Sequence, residues 1–240
     1  MQECNVRTSV LPFPSEVLLS IDYCQLEMRI LAVASQDAAL IEAFRSGGDF
    51  FRAVASHWMN KKVEDTTDDN RQTTKKLCYG IIYGMGSHSL AEELHVPHPR
   101  ALSLLKQFVD AFPAIDVFRR VLVKRALEKG SVTTLGGFTR QLPQLRSLDK
   151  GERAAAERRV LNTFCQGSAA EILKRSLLAI SSIDLNSFSA KFVLQIHDEV
   201  LFSLPSSHIE AFLCEVKMRA MCSPPGWPIE LKVKAATGPN

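Results

Sequence analysis

The 240-residue chain reads as an α+β protein, because most of its length shows helical periodicity, a few short apolar runs read as strands, and no fixed-period repeat or low-complexity tract interrupts them. With 46% hydrophobic and 23% charged residues it can bury a sizeable core. The 29 Lys and Arg nearly balance the 26 Asp and Glu. A net charge of +3 does not by itself argue for a nucleic-acid or membrane partner, so any basic surface must be local. No run approaches about 18 apolar residues, and Met1–Ser20 lacks a basic segment followed by an apolar one. The expectation is an intracellular protein with no membrane association. Cys4, Cys24, Cys78, Cys165, Cys214 and Cys222 are scattered without a CxxC pair, and they read as reduced, mostly buried thiols.

Taken in order, Val17–Ile21 is an apolar run that suits a buried strand and delivers Asp22 at its far end. Gln25–Asn60 carries helical periodicity broken near Ser35 and at Gly47-Gly48, with Asp49 placed to cap the next helix. Thr66-Thr67-Asp68-Asp69 signals the start of a helix through about Ile82, which Gly84-Met85-Gly86 ends. Helical stretches follow at about Arg100–Phe112 and Ala114–Lys129, the second stopped by Gly130. Ser131–Pro143 around Gly136-Gly137 reads as a hairpin. Lys150–Cys165 and Ser168–Ile180 have helical period, and Lys191–Leu204 reads as two strands about a turn near His197-Asp198. Pro205–Met221 contains a helix and Ile229–Ala236 a strand.

Two acidic points lie at strand ends, Asp22 and Asp198-Glu199, 176 residues apart by their first members. If those strands are neighbours, the carboxylates converge and can bridge a pair of Mg²⁺ ions, as in-line phosphoryl transfer requires. Turns are also a common place for an Asp without any such role. The helix after Thr67 carries Arg71, Lys75, Tyr79 and Tyr83 at a spacing of four, which makes one slanting stripe about 18 Å long. Two cations followed by two aromatic rings match a nucleoside triphosphate; the same pattern also fits a solvated basic edge beside core tyrosines. Lys76, Asp68 and Asp69 are consistent with either.

These segments resemble the motifs of the family A DNA polymerases. Asp22-Tyr-Cys-Gln-Leu-Glu-Met-Arg29 is similar to the first palm motif, and Arg71-Gln-Thr-Thr-Lys75-Lys-Leu-Cys-Tyr79-Gly-Ile-Ile-Tyr83-Gly84 to the fingers helix. Gln195-Ile-His-Asp-Glu-Val200 is similar to the second palm motif. Glu157-Arg158 through Asn162 to Gln166-Gly-Ser-Ala-Ala170 resembles helices that line the primer-template minor groove. Cys78-Tyr-Gly-Ile-Ile-Tyr-Gly-Met-Gly86 looks closest to the eukaryotic theta and nu branch, and the resemblance runs from about Val6 to Asn240.

The resemblance implies a small antiparallel palm sheet with a helical fingers subdomain: residues 1–38 and 131–240 as palm, and 39–130 as fingers. Only 21 residues precede Asp22, so a thumb is expected to be absent. It further implies two Mg²⁺ ions held by Asp22, Asp198 and the Tyr23 backbone, with Glu199 as a supporting acid. Arg71 and Lys75 would grip the triphosphate, Lys75 also serving as a candidate proton donor. Gln25, Tyr79 and Glu27 would complete the nucleotide site, Glu27 as the steric gate against a ribose 2′-hydroxyl. A surface ion pair is the alternative for Glu27. Tyr83 and Gly84 would abut the templating position. Arg158, Asn162, Gln166, Gln195, His197 and Arg140 would contact primer-template DNA, the amides reading minor-groove acceptors. A buried structural histidine is the alternative for His197, and a solvated basic face the alternative for Arg140, Arg158 and Lys174.

Departures from the family pattern are Cys24 for Ser, Phe51 for His with Arg52 beside it, fewer arginines in Gly137–Pro143, and Glu171 for Asp. The 29 residues from Gln166 to Gln195 leave no space for an inserted loop. The expected activity is DNA-directed DNA synthesis from deoxynucleoside triphosphates, in repair or translesion synthesis, by a monomer in the nucleus or, failing that, the mitochondrion. The rival readings are a non-catalytic DNA-binding fragment and a single-subunit RNA polymerase, against which Glu27 and Asp198-Glu199 argue.

Overall fold

The computed structural model describes residues 9–224 and 226–238, and these divide into two compact units. Of the described residues, 9–26, 169–224 and 230–238 form the first unit, and 27–168 and 226–229 the second.

The first unit is built on a four-stranded antiparallel sheet of β1 (Val17–Tyr23), β4 (Lys191–Ile196), β5 (Glu199–Leu204) and β6 (Val233–Gly238), in the order β4-β5-β1-β6. Alternation along β1 and β5 sends Leu19, Ile21, Val200, Phe202 and Leu204 into the core, each fully buried. Burying a side chain such as Phe202 stabilises by about 2–3 kcal/mol. Helix α9 (Ile209–Arg219) presents Phe212, whose ring meets Phe202 edge-on at 4.9 Å. The strand expected from Ile229 begins at Val233.

The second unit holds α1 (Leu26–Ser35) from Glu27 on, then α2 (Ala38–Arg45), α3 (Phe50–Met59), α4 (Asp68–Ile82), α5 (Ser87–Leu94), α6 (His98–Ala111) and α7 (Pro113–Lys129). A two-stranded hairpin of β2 (Ser131–Thr133) and β3 (Thr139–Gln141) follows. The expected breaks near Ser35 and Gly47-Gly48 are present, and Asp49 caps α3 by accepting the Arg52 backbone N–H at 2.9 Å. Helix α4 starts at a reciprocal capping box, Thr67 with Asn70. The short α5 went unread in the sequence because it presents a single buried apolar residue, Leu90, too few to show a period.

Helix α8 (Lys150–Ile180) is one helix of 31 residues where two segments were expected. Gly167 and Ser168 looked like a break, yet both lie inside it. A Cβ on Gly167 would come within 2.6 Å of the Thr134 methyl, so the glycine marks a close approach of helix and hairpin end. Ser168 Oγ accepts the Leu135 backbone N–H at 3.0 Å, which fastens the same contact.

Among the described residues, no helix is long and apolar enough to cross a membrane. The described cysteines are free thiols, but not mostly buried: Cys78 and Cys165 are buried, Cys24 is half-buried, and Cys214 and Cys222 are exposed. The two exposed ones lie on the outer face of α9 and in the turn after it. Cys4 lies outside the described residues.

Candidate active site

In the first unit, β1 and β5 are direct neighbours, and their register sets Asp22 opposite Glu199. A two-residue loop, His197-Asp198, joins β4 to β5, and His197 takes φ 52°, a left-handed conformation that tight hairpins demand. The Tyr23 backbone N–H reaches the Asp198 carbonyl at 3.4 Å. Asp22 and Asp198 therefore come side by side, near enough for the charge of one to act on the other. Burial, and then the negative charge of Asp22, push the Asp198 carboxyl above the usual aspartate range. Ser20 Oγ donates to Glu199 Oε1 at 2.6 Å and so holds that acid beside the pair.

Lys234 of β6, which no sequence motif singled out, lies directly across from Asp22 and places its Nζ 2.7 Å from Asp22 Oδ2. The hydrogen bond to Asp22 and the aspartate's charge raise the Lys234 pKa. Tyr23 is buried with its phenol 2.7 Å from Ser176 Oγ, and burial drives its pKa to about 12. That anchor fixes the end of β1, where Asp22 sits.

Two hard oxygen donors already crowding one another suit a divalent cation such as Mg²⁺, which would relieve the repulsion that raises Asp198. Among the described residues, no cluster of three or more His, Cys, Asp or Glu is arranged to hold a metal. Protein donors beyond the two aspartates would have to come from the backbone, with water and substrate oxygens filling the rest, the usual habit of Mg²⁺.

In the second unit, α4 buries Thr74, Leu77, Cys78, Gly80 and Ile82 on one side. The side chains of the Arg71–Tyr83 stripe lie on the other, with Lys75 and Tyr83 exposed and Arg71 and Tyr79 half-buried. The tyrosines are thus not core residues. Their rings stack at 6.1 Å with 25° between planes. Phe51, at the position where a histidine was expected, is buried, lies 6.1 Å from the Tyr79 ring and supports the Arg71 guanidinium at 5.7 Å. Arg71 Nε also donates to Asp49 Oδ2 at 2.9 Å. Burial works against the Asp49 charge, but the Arg52 backbone N–H and the Arg71 side chain outweigh it and hold that carboxyl below its ordinary range. Arg52 is bound to the Thr66 carbonyl and to Asp68, so its charge is committed within the fold.

Gly84, just past α4, has φ +67°, and a Cβ there would lie 2.3 Å from the Arg158 carbonyl oxygen. Only glycine fits against α8 at this point. Arg158, Asn162 and Gln166 fall on one side of α8 at intervals of four, with Arg158 and Gln166 exposed and Asn162 half-buried. Gly84 and Arg158 also border an apolar cavity of about 330 Å³ whose walls include Phe108 and Phe112. Glu27 is half-buried in the first turn of α1, and its charge contributes to raising the pKa of buried Cys165 after desolvation. Arg140 is exposed on β3. In the first unit, Lys174 is exposed on α8, Gln25 is half-buried with φ 49°, and Gln195 Nε2 donates to the His197 carbonyl at 2.6 Å. The His197 side chain is exposed, which rules out the buried structural histidine.

The first unit thus carries paired aspartates at a strand end, and the second a helix with a cation-and-tyrosine stripe. The profile of DNA polymerase family A matches residues 1–240, and the chain belongs to that family. It is 40% identical over 200 residues to DNA polymerase theta of Drosophila melanogaster, covering 80% of this chain and 10% of that protein. It is 33% identical over 228 residues to DNA polymerase I of Geobacillus stearothermophilus, covering 95% of this chain and 26% of that one. The solved POL domain of Pol1 from M. smegmatis, in complex with DNA primer-template and dNTP, superimposes with a TM-score of 0.88 at 32% identity, over 95% of this chain and 41% of that one. The chain thus spans about a tenth to a quarter of the length of these curated relatives.

Proposed function

We propose that this chain is the palm-and-fingers part of a DNA-directed DNA polymerase, with 1–38 and 131–240 as palm and 39–130 as fingers. It would extend a primer 3′-hydroxyl by attack on the α-phosphate of a deoxynucleoside triphosphate opposite a DNA template. The observation that carries the reading is the meeting of Asp22 and Asp198 at the edge of a β1–β5 pair, from positions 176 residues apart in the chain.

Two Mg²⁺ ions, held by Asp22, Asp198 and the Tyr23 carbonyl, would supply an activated primer hydroxyl and charge neutralisation at the phosphates. Arg71 and Lys75 would bind the β- and γ-phosphates electrostatically, with Lys75 protonating the leaving pyrophosphate. Arg71 would exchange its Asp49 partner for phosphate oxygens. Tyr79 would lie against the sugar and base, with Gln25 beside the incoming nucleotide. Glu27 would wall off a 2′-hydroxyl, which selects deoxynucleotides over ribonucleotides. Tyr83 and Gly84 would meet the templating base. Asn162 and Gln166 would read minor-groove acceptors common to all base pairs, and Gln195 and His197 would hold the primer end. Arg140 and Arg158 would take backbone phosphates. The same proposal includes a repair or translesion role for a monomer in the nucleus or the mitochondrion, and the similarity to theta polymerases of two animals is consistent with the nucleus.

Primer extension by the 240-residue chain at low salt, with Asp198→Ala as control, tests this. Extension by wild type and none by the variant supports the reading. Equal inertness of both, with strong salt-dependent DNA binding, would make this a non-catalytic DNA-binding segment.

A further inference from the structure

We propose that Lys234 is a built-in counter-ion for Asp22 that a divalent cation must displace, so that this lysine sets how tightly the carboxylate pair takes its metal. The inference rests on the metal-binding role assigned to Asp22 and Asp198.

Its placement is a consequence of register. β6 is an edge strand, and its antiparallel pairing with β1 sets Lys234 directly opposite Asp22, so the two side chains leave the sheet on the same face. The Nζ lies 2.7 Å from Oδ2, a charge-assisted contact to an oxygen that a hard cation would also use. Burial is lopsided: the Asp22 side chain is 18% exposed and that of Lys234 is 70% exposed. The ammonium can therefore swing into water with little desolvation, whereas the carboxylate stays where the sheet puts it. Within β6, Val233, Ala235, Ala236 and Thr237 carry no charge; the nearest other lysine in the chain is Lys232, just before the strand and opposite no residue of the Asp22 register.

The purpose follows from the crowding of Asp22 against Asp198. Two adjacent carboxylates repel each other while no cation is bound, and a lysine on one of them neutralises part of that charge. The same contact competes with an entering cation, which must break it before using Oδ2. A largely exposed pair of this kind shifts a binding equilibrium by about 1.5-fold to fivefold.

The test is a Mn²⁺ titration of the 240-residue protein followed by the electron paramagnetic resonance signal of free Mn²⁺, with no DNA or nucleotide present. Lys234→Met and Lys234→Gln should both tighten Mn²⁺ binding by about 1.5-fold to fivefold, whereas Lys234→Arg should stay as weak as wild type. Circular dichroism checks that each variant is folded, and the two neutral substitutions guard against one of them failing to fold. Asp22→Asn should abolish the bound Mn²⁺. Unchanged or weaker binding in both neutral variants, with Asp22→Asn still abolishing it, would overturn the counter-ion role and leave the carboxylate site intact. Binding in Asp22→Asn equal to wild type would overturn the metal site and this inference together.

Discussion

Two carboxylates held side by side should cost stability when no cation is bound between them, and Asp198→Asn measures that cost. Asparagine keeps the shape of aspartate and an acceptor oxygen but removes the charge. Two unit charges about 4 Å apart repel by about 1 kcal/mol in water and about 4 kcal/mol at an effective dielectric of 20. Asp198 is only half-buried, and Lys234 already draws on the Asp22 charge, so solvent screening places the expected gain near the low end, about 1 kcal/mol. For a chain of this size that corresponds to a rise in melting temperature of about 2–4 °C. The assay is thermal and urea unfolding of both proteins in EDTA across pH. The Asp198 carboxyl is raised in the fold, so it binds its proton more tightly when native. Its contribution is fully present below the ordinary aspartate range of about 4 and is lost as pH rises through the raised value. The variant should therefore match wild type near pH 3.5, draw ahead as pH rises through that window, and keep a constant lead at neutral pH. Millimolar Mg²⁺ should close or reverse the lead, because only wild type keeps both carboxylates to bind it. An Asp198→Asn protein less stable than wild type at neutral pH in EDTA would refute the reasoning, since it would mean that the charge is satisfied by the fold.

Further substitutions probe the second unit. Gly84→Ala should destabilise by about 3 kcal/mol in urea unfolding, from the left-handed backbone and the clash with the Arg158 carbonyl, whereas Gly86→Ala, with open space around it, should cost under about 1 kcal/mol. Tyr79→Phe should reduce dideoxynucleotide incorporation relative to deoxynucleotide by about tenfold or more in competitive single-turnover extension, because the phenol oxygen can fill the place of a missing 3′-hydroxyl; an unchanged ratio would remove Tyr79 from the sugar. Glu27→Ala should raise ribonucleotide incorporation by about tenfold or more with little change for deoxynucleotides, and a parallel loss of both would mean that Glu27 is structural.

The parts of the site that were legible in the chain are those with short-range causes. Val17–Ile21 is apolar enough to be a strand, Thr66-Thr67-Asp68-Asp69 signals the start of a helix, and Arg71, Lys75, Tyr79 and Tyr83 fall on one side of it by its own 3.6-residue period. The long α8 was read as two helices because Gly167 and Ser168 look like a break locally. Their purpose, a close contact with Thr134 and Leu135, exists only in the fold. Phe51 looked like a loss of a polar contact until its ring was seen to support Arg71 and to lie against Tyr79.

By itself, then, the amino-acid order determined which residues end strands, which share one stripe of α4, and which family they resemble, because periodicity and capping act over a few residues. Only the tertiary structure decided that Asp22 has Asp198 on one side and Lys234 on the other, that Arg71 is held by Asp49, and that Gly84 abuts Arg158. Strand order and register are set by many buried side chains packing together across long stretches of chain, and a one-residue slip would turn Lys234 to the opposite face of the sheet without altering any local signal.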